Sequence, residues 1–176
     1  GMDEENLENA LTALKTAAKP RIRIELPVST VGMEYICHQK APKMVEIVGK
    51  LVALAKEKCS DVEFCAIDAT RAEKETLLNI LSTAAQNGAG IITLCDTAAE
   101  MMPDDFGKFV AEINKELSDY TLEIGVKCSN KNGLAAANAV TAFPFGVTYV
   151  KTDVGLQGVP LEVMAGIIKD CGENYN

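Results

Sequence analysis

The sequence predicts an α/β domain whose strands form a parallel sheet. Three observations carry this reading. Strand-like apolar runs alternate with amphipathic helical stretches from one end of the chain to the other, the pattern that right-handed βαβ units produce. The central run, GIITLCDT at 90–97, is almost continuously apolar, as a strand covered on both faces has to be. No linker, low-complexity stretch or composition break divides the 176 residues. Residues 1–176 are therefore read as one domain, long enough for a core of its own.

Each element has a local reason. Residues 3–18 carry Leu7, Leu11 and Leu14 at helical spacing, and Pro20 ends that helix. RIRIELPVS (21–29) alternates apolar and polar side chains like a strand, and a polar turn follows it. Over 42–58, Met44, Val45, Val48, Leu51, Val52 and Ala55 make the apolar stripe of a second helix. VEFCAIDA (62–69) is the second strand, and 72–86 a helix built on Leu77, Leu78 and Leu81, ended at Gly88-Ala89-Gly90. After the strand at 90–97, Pro103 followed by Asp104 and Asp105 opens the helix of 103–117. YTLEIGVKCS (120–129) is a strand, 133–142 an Ala-rich helix, and GVTYVKTDV (146–154) the fifth strand. Pro160 opens a last helix that reaches Cys171. Periodicity leaves one choice open: a doubly wound sheet with helices on both faces, or a barrel-like arc with all helices outside.

Composition excludes some classes of partner. Asp and Glu number 25 against 17 Lys and Arg, a net charge of -8, which disfavours a nucleic-acid backbone or an anionic membrane surface. There is no apolar run long enough to span a bilayer and no signal-peptide pattern. The six cysteines are scattered without a Cys-x-x-Cys pair, and three lie in apolar runs where Cys packs as a small hydrophobe. Reduced thiols and a cytoplasmic location are expected.

Polar groups gather at the strand ends: Ser29-Thr30, Asp68 with Thr70 and Arg71, Asp96-Thr97, Lys127 with Ser129, and Thr152-Asp153. Parallel strands bring all of these to one mouth. Asp68 and Thr70 also suit a plain helix N-cap, and Lys131-Asn132 a solvated turn. Lys127 shares the alternation of Glu123 and Gly125, which places it on a polar inner face. The one histidine, His38, lies in a polar loop stretch, so neither a His-pair metal site nor a Ser-His-Asp triad can be assembled. Phosphate-loop and dinucleotide fingerprints are absent as well.

Five segments, SxxxMEY (29–35), VEFCAIDATR (62–71), AGIITLCDT (89–97), PDDFG (103–107) and VKCSNKNGLAAAN (126–138), stand in this order. In order and spacing they resemble the later part of the catalytic barrel shared by 2-isopropylmalate synthase, homocitrate synthase and 3-hydroxy-3-methylglutaryl-CoA lyase. The resemblance covers nearly the whole chain. It implies a partial TIM barrel of about five strands with helices outside, in a family of metal-dependent enzymes that make or break carbon–carbon bonds beside a 2-oxo acid or acyl-CoA. Departures accompany the matches. The family's first strand, which supplies a metal-binding Asp and an Arg, has no counterpart. Its His-x-His becomes Lys127-x-Ser129, its Glu before Asp68 becomes Ile67, the His before Met33-Glu34-Tyr35 is Gly32, and the Asn-containing stretch after the last strand is shortened to 154–159.

These departures lead us to expect no bound metal and no cofactor, since a protonated lysine cannot ligate a divalent ion. Three functional readings follow. The chain is a truncated, catalytically degenerate homologue that at most binds a small carboxylate or 2-oxo acid through Lys127, Thr97 and Arg71, with Asp68 and Ser129 beside them. Alternatively it is a separately encoded subunit of a split acyltransferase or lyase, completed by another chain. A third reading makes Lys127 a Schiff-base amine. Catalytic residues stay unassigned. Five strands of a barrel would also leave two open edges and an uncovered concave face. Ile22, Ile24, Phe64, Ala66, Ile92 and Leu94 alternate with the remaining strand residues. An apolar patch on that face is expected to drive a homodimer, with the helix of 3–18 as a partial cover.

Overall fold

In the computed structural model, which describes residues 4–155 and 157–175, the alternating runs become strands paired in the order β1-β2-β3-β4-β5, every neighbour parallel. They are β1 (Arg21–Pro27), β2 (Asp61–Ile67), β3 (Ile91–Asp96), β4 (Glu123–Cys128) and β5 (Val147–Val150). Spatial order equal to chain order means that each crossover steps the same way. Right-handed crossovers then put every helix on one face of the sheet. A doubly wound sheet would reverse its order at a switch point. The choice left open by periodicity falls to the barrel arc.

The helices that fill the crossovers are α2 (Thr30–Tyr35), α3 (Ala41–Lys58), α4 (Lys74–Gln86), α5 (Pro103–Glu116) and α6 (Ala135–Ala142), while α1 (Glu4–Ala13) precedes β1 and α7 (Leu161–Cys171) follows the last strand. One core joins them to the sheet: Ile22, Ile24, Phe64, Ala66, Ile92, Leu94, Ile124 and Val126 pack with Met44, Val48, Leu81, Phe106, Val110 and Ala139. Residue 3, placed in the first helix by the sequence, and Leu156 lie outside the described residues.

Two elements differ from the sequence reading. The stretch after β1 is not a plain polar turn but the short helix α2, whose N-cap Ser29 accepts a hydrogen bond from the Gly32 N–H at 3.1 Å. One and a half turns are too few for a hydrophobic period to register. The fifth strand is also divided. After Val150 the chain leaves the main sheet, and β6 (Thr152–Asp153) pairs instead with β7 (Val159–Pro160).

The expected apolar patch on the concave face is not there. Registers such as Ile22↔Val62 and Phe64↔Ile92 align the apolar sets of successive strands on one side, and the helices cover that side. The opposite, alternating set carries Arg21, Arg23, Glu25, Asp61, Glu63, Cys65, Thr93, Cys95 and Lys127. These groups engage one another. Arg21 holds Asp61 at 2.8 Å and lies 5.1 Å over the Tyr149 ring. Lys127 reaches Glu25 at 3.2 Å, and Lys151 reaches Glu63 at 2.7 Å, while the Thr93 hydroxyl donates to the same carboxylate at 2.6 Å. Three of these contacts join strands that are not neighbours: β1 to β5, β1 to β4, and β2 to the residue after β5. The sheet curls far enough for its edge strands to touch across the hollow. Gly125 leaves the room for this, because a Cβ there would stand 2.7 Å from the Thr93 hydroxyl. On α1, Asn6, Leu7 and Ala10 line a cleft with Ile22, Arg23, Ile24 and Glu25 of β1 and Leu51 of α3.

Glu63 is 1% exposed, and Lys151 is its ion-pair partner at 2.7 Å. Replacing Lys151 by Ala should lower the unfolding free energy by about 2–3 kcal/mol, the cost of stranding a buried carboxylate. The double change Glu63→Gln with Lys151→Met should recover most of that in urea titrations. Equal stabilities for the parent and Lys151→Ala would mean that the cross-sheet pair holds nothing.

Candidate functional site

At the carboxyl ends of β2, β3 and β4 the chain turns outward, and the polar groups noted in the sequence converge. Asp68, just past β2, has φ +64°, a left-handed conformation that Asp tolerates better than most residues. It occupies the N-cap position of the 3-10 turn Ala69–Arg71 but makes no capping bond. Its carboxylate instead accepts from Arg71 Nε at 2.9 Å and Arg71 Nη2 at 2.8 Å. Glu73 caps α4, accepting from the Glu75 and Thr76 N–H groups. The Asp68 N–H donates to the Thr97 hydroxyl at 3.0 Å, which leaves that hydroxyl's own proton free to point elsewhere.

Asp96, at the end of β3, is fully buried. Thr70 donates to one of its oxygens at 3.0 Å and the Asn138 amide to the other at 3.4 Å. The N–H groups of Ala99, Glu100 and Met101 also turn toward it. The carboxylate therefore organises the loop 97–102. Asn138, on α6, ties the same loop through the Met101 carbonyl at 3.1 Å. Its own carbonyl oxygen is buried without a partner.

A cavity of about 510 Å³ opens between these loops. Thr97, Lys127 and Ser129 line it, with Cys95 and Asp96 below and Asp153 and Gln157 from the loop after β5. Three of the five candidate residues thus share one space. Asp68 and Arg71 stand beside it as a closed pair, and Arg71 faces outward, 3.9 Å from Glu100. Sequence reasoning overlooked Glu25, the partner of Lys127. Its place on the polar face of RIRIELP was legible, but a contact between residues 102 positions apart was not. Cys95, Asn138 and Gln157 were also missed. They carry no distinguishing spacing and enter only because loops and helices meet there.

Electrostatics divides these groups. Burial pushes the Asp68 carboxyl up, but the Arg71 guanidinium and the Ser29 hydroxyl outweigh it and hold the group below the usual carboxylate range. Burial wins at Asp96, which lies above that range despite its hydrogen-bond donors. Burial opposes the charge on Lys127, and Glu25 more than restores it. Lys127 is therefore an ammonium at neutral pH. A Schiff-base role would need the free amine instead.

The HMGL-like family model matches residues 2–162. The chain belongs to the HMGL-like family. Among curated HMGL-like relatives, 2-isopropylmalate synthase of Aquifex aeolicus (strain VF5) is 33% identical over 152 residues, covering 86% of this chain and 29% of that protein. A 2-isopropylmalate synthase of Clostridium kluyveri is 32% identical over 179 residues, covering 98% of this chain and 35% of the relative. The chain thus spans about a third of the length of these relatives. Its fold is that of the HMG-CoA lyase from Brucella melitensis, with a TM-score of 0.77 at 12% identity over 92% of this chain and 62% of that one. The carboxyl transferase domain of Rhizobium etli pyruvate carboxylase shares the fold as well, at a TM-score of 0.65 and 15% identity over 97% of this chain and 34% of that one.

The divalent metal that the family implies does not fit the groups present. At the end of β4 stand an ammonium and a hydroxyl, Lys127 and Ser129. Arg71 occupies Asp68, while Thr70, Asn138 and loop N–H groups occupy Asp96. Among the described residues, no group of three or more His, Cys, Asp or Glu side chains is placed to hold a metal ion.

The two carboxyls should titrate on opposite sides of the ordinary Asp value of about 3.9. Asp68, depressed in the fold, contributes stability above that value and loses it as pH falls through its folded pKa. Asp96, raised in the fold, favours folding below that value and loses the contribution as pH rises through its folded pKa. Carbon-detected NMR titration should show this order, and Arg71→Ala should move the Asp68 midpoint upward. An unmoved Asp68 would show that Arg71 is not its counter-ion.

Proposed function

We propose that this protein is a catalytically degenerate HMGL-like protein whose mouth cavity binds a small carboxylate without a metal. The observation that carries this reading is the convergence of Lys127, Thr97 and Ser129 on one cavity. Lys127 spends one of its three N–H donors on Glu25. The Thr97 hydroxyl accepts from Asp68 and keeps its proton for a ligand. Ser129 adds a second hydroxyl. An ammonium and two hydroxyls suit a carboxylate or 2-oxo acid. Arg71 is committed to Asp68 and contributes through the Asp68–Thr97 link rather than by direct contact. Unpaired, mostly buried thiols support a location in the reducing cytoplasm. Among the described residues no helix is long and apolar enough to cross a membrane.

Calorimetry with pyruvate, 2-oxoglutarate and 2-oxoisovalerate tests the reading. At least one acid should bind, unaffected by a chelator, and Lys127→Ala should weaken it about tenfold or more, as expected for a lost charged hydrogen bond. Absence of heat with the parent protein, or binding that a chelator abolishes, would refute a metal-free carboxylate site.

A second reading is assembly, either with another copy or with a separate chain that completes a split acyltransferase or lyase. Two observations favour it. β1 and β5 end the sheet order and each has one neighbour. Apolar side chains are also exposed on the helices that follow these strands in the chain, Val31 and Tyr35 on α2 with Ile36 just after it, and Leu161, Val163 and Ile168 on α7. With the hollow polar, the drive to associate rests on the edges and these helices. Sedimentation at micromolar concentration should show a dimer that Tyr35→Lys weakens. A monomer at every concentration would dismiss the homodimer and leave the heteromeric case to be tested by mixing.

A further inference from the structure

Beneath the mouth cavity lies a pair of groups to which the carboxylate reading assigns no role. Cys65 on β2 and Cys95 on β3 both point into the hollow. The register sets Cys65 opposite Thr93, so Cys95 is two residues further along on the same face. Their sulfurs are 3.3 Å apart, and both residues are buried. Cys95 forms part of the cavity's lining beside Lys127 and Thr97, whereas Cys65 lies behind it. Glu25 is the register partner of Cys65 on β1. The other thiols differ. Cys59 donates to the Pro20 and Asp61 carbonyls, and Cys171 is exposed.

We propose that Cys65 and Cys95 form a reversible dithiol–disulfide site on the floor of the cavity, closed by small two-electron oxidants such as hydrogen peroxide. Closure shortens the sulfur separation by about 1.3 Å, to the bonded distance of about 2.0 Å. The register makes the two residues diagonal neighbours on adjacent strands, about 7–8 Å apart, so closure also draws the two strand backbones together. The order of events follows from position. Cys95, reached through the cavity, meets the peroxide first; its sulfur gains an oxygen to become the sulfenic acid, and one water leaves. The Cys65 sulfur then attacks the Cys95 sulfur. Its proton passes to the departing hydroxide, which leaves as a second water. Two thiols are oxidised by two electrons and one peroxide is reduced to two waters. A disulfide there would lie beside Glu25, the carboxylate that holds Lys127 and Arg23. The site is independent of which ligand the cavity takes.

The test uses the full chain carrying Cys171→Ser, so that the exposed thiol cannot bridge two molecules. After treatment with hydrogen peroxide, thiol titration in denaturant should find two fewer thiols, restored by dithiothreitol. Peptide mapping should place the cross-link between Cys65 and Cys95. With Cys65→Ser added, a sulfenic-acid trap such as dimedone should label Cys95. With Cys95→Ser added instead, Cys65 should stay unlabelled. A full complement of thiols after peroxide, a cross-link between other cysteines, or labelling of Cys65 in the Cys95→Ser protein would each overturn the proposal. The first two outcomes are read on a protein that retains both cysteines and so do not depend on how either serine variant folds.

Discussion

The structure depends on a face that no helix covers. Five parallel strands connected by same-handed crossovers must bury one side under helices and leave the other open. An open apolar face would invite association. Here the open side is built from charges that neutralise one another across the curve of the sheet. Lys127 with Glu25, Lys151 with Glu63, and Arg21 with Tyr149 each join strands that are not neighbours. A flat sheet could not make these contacts. Curvature and charge pairing therefore support each other, and Gly125, with no side chain to obstruct Thr93, is where they meet.

The same arrangement governs the mouth. Lys127 belongs both to the cross-sheet pairing and to the cavity, so the group best suited to hold an anion is held in place by Glu25 rather than left as a loose side chain. Below it the acids are sorted by environment. Asp68, matched to Arg71, stays ionised, whereas Asp96, buried among hydroxyl, amide and N–H donors, shapes a loop. Neither carboxylate is offered to a ligand. This differs in kind from a metal site, in which anionic or neutral donors would converge on one point. The mouth offers proton donors instead, from Lys127, Thr97 and Ser129.

Much of the fold was legible in the residues. The helical stripes of α3 and α4 and the alternation of β1 have periods imposed by backbone geometry, which tertiary contacts do not alter. The gathering of Asp68, Thr97, Lys127 and Ser129 at one end was legible for the same reason, because parallel strands share a direction. α2 was not, since six residues with a β-branched Val31 and a central Gly32 show no stripe, and the helix rests on the Ser29 cap. The division of the fifth strand was also hidden. Val147 to Asp153 reads as one extended run, and only the competing pairing with Val159–Pro160 separates its end.

The sequence by itself determined which side chains share a face and which strand ends carry polar groups, because these follow from a two-residue repeat along each strand. It also carried the family resemblance. It could not determine which face met the helices, since alternation is symmetric until a second layer covers one side. Only the tertiary structure decided that the apolar set faces inward to the helices and the charged set lines the hollow. It alone paired Lys127 with Glu25, 102 residues away, and Cys65 with Cys95, 30 residues away. Contacts of that range depend on how tightly the sheet curls, a property of the assembled strands that no local stretch of chain encodes.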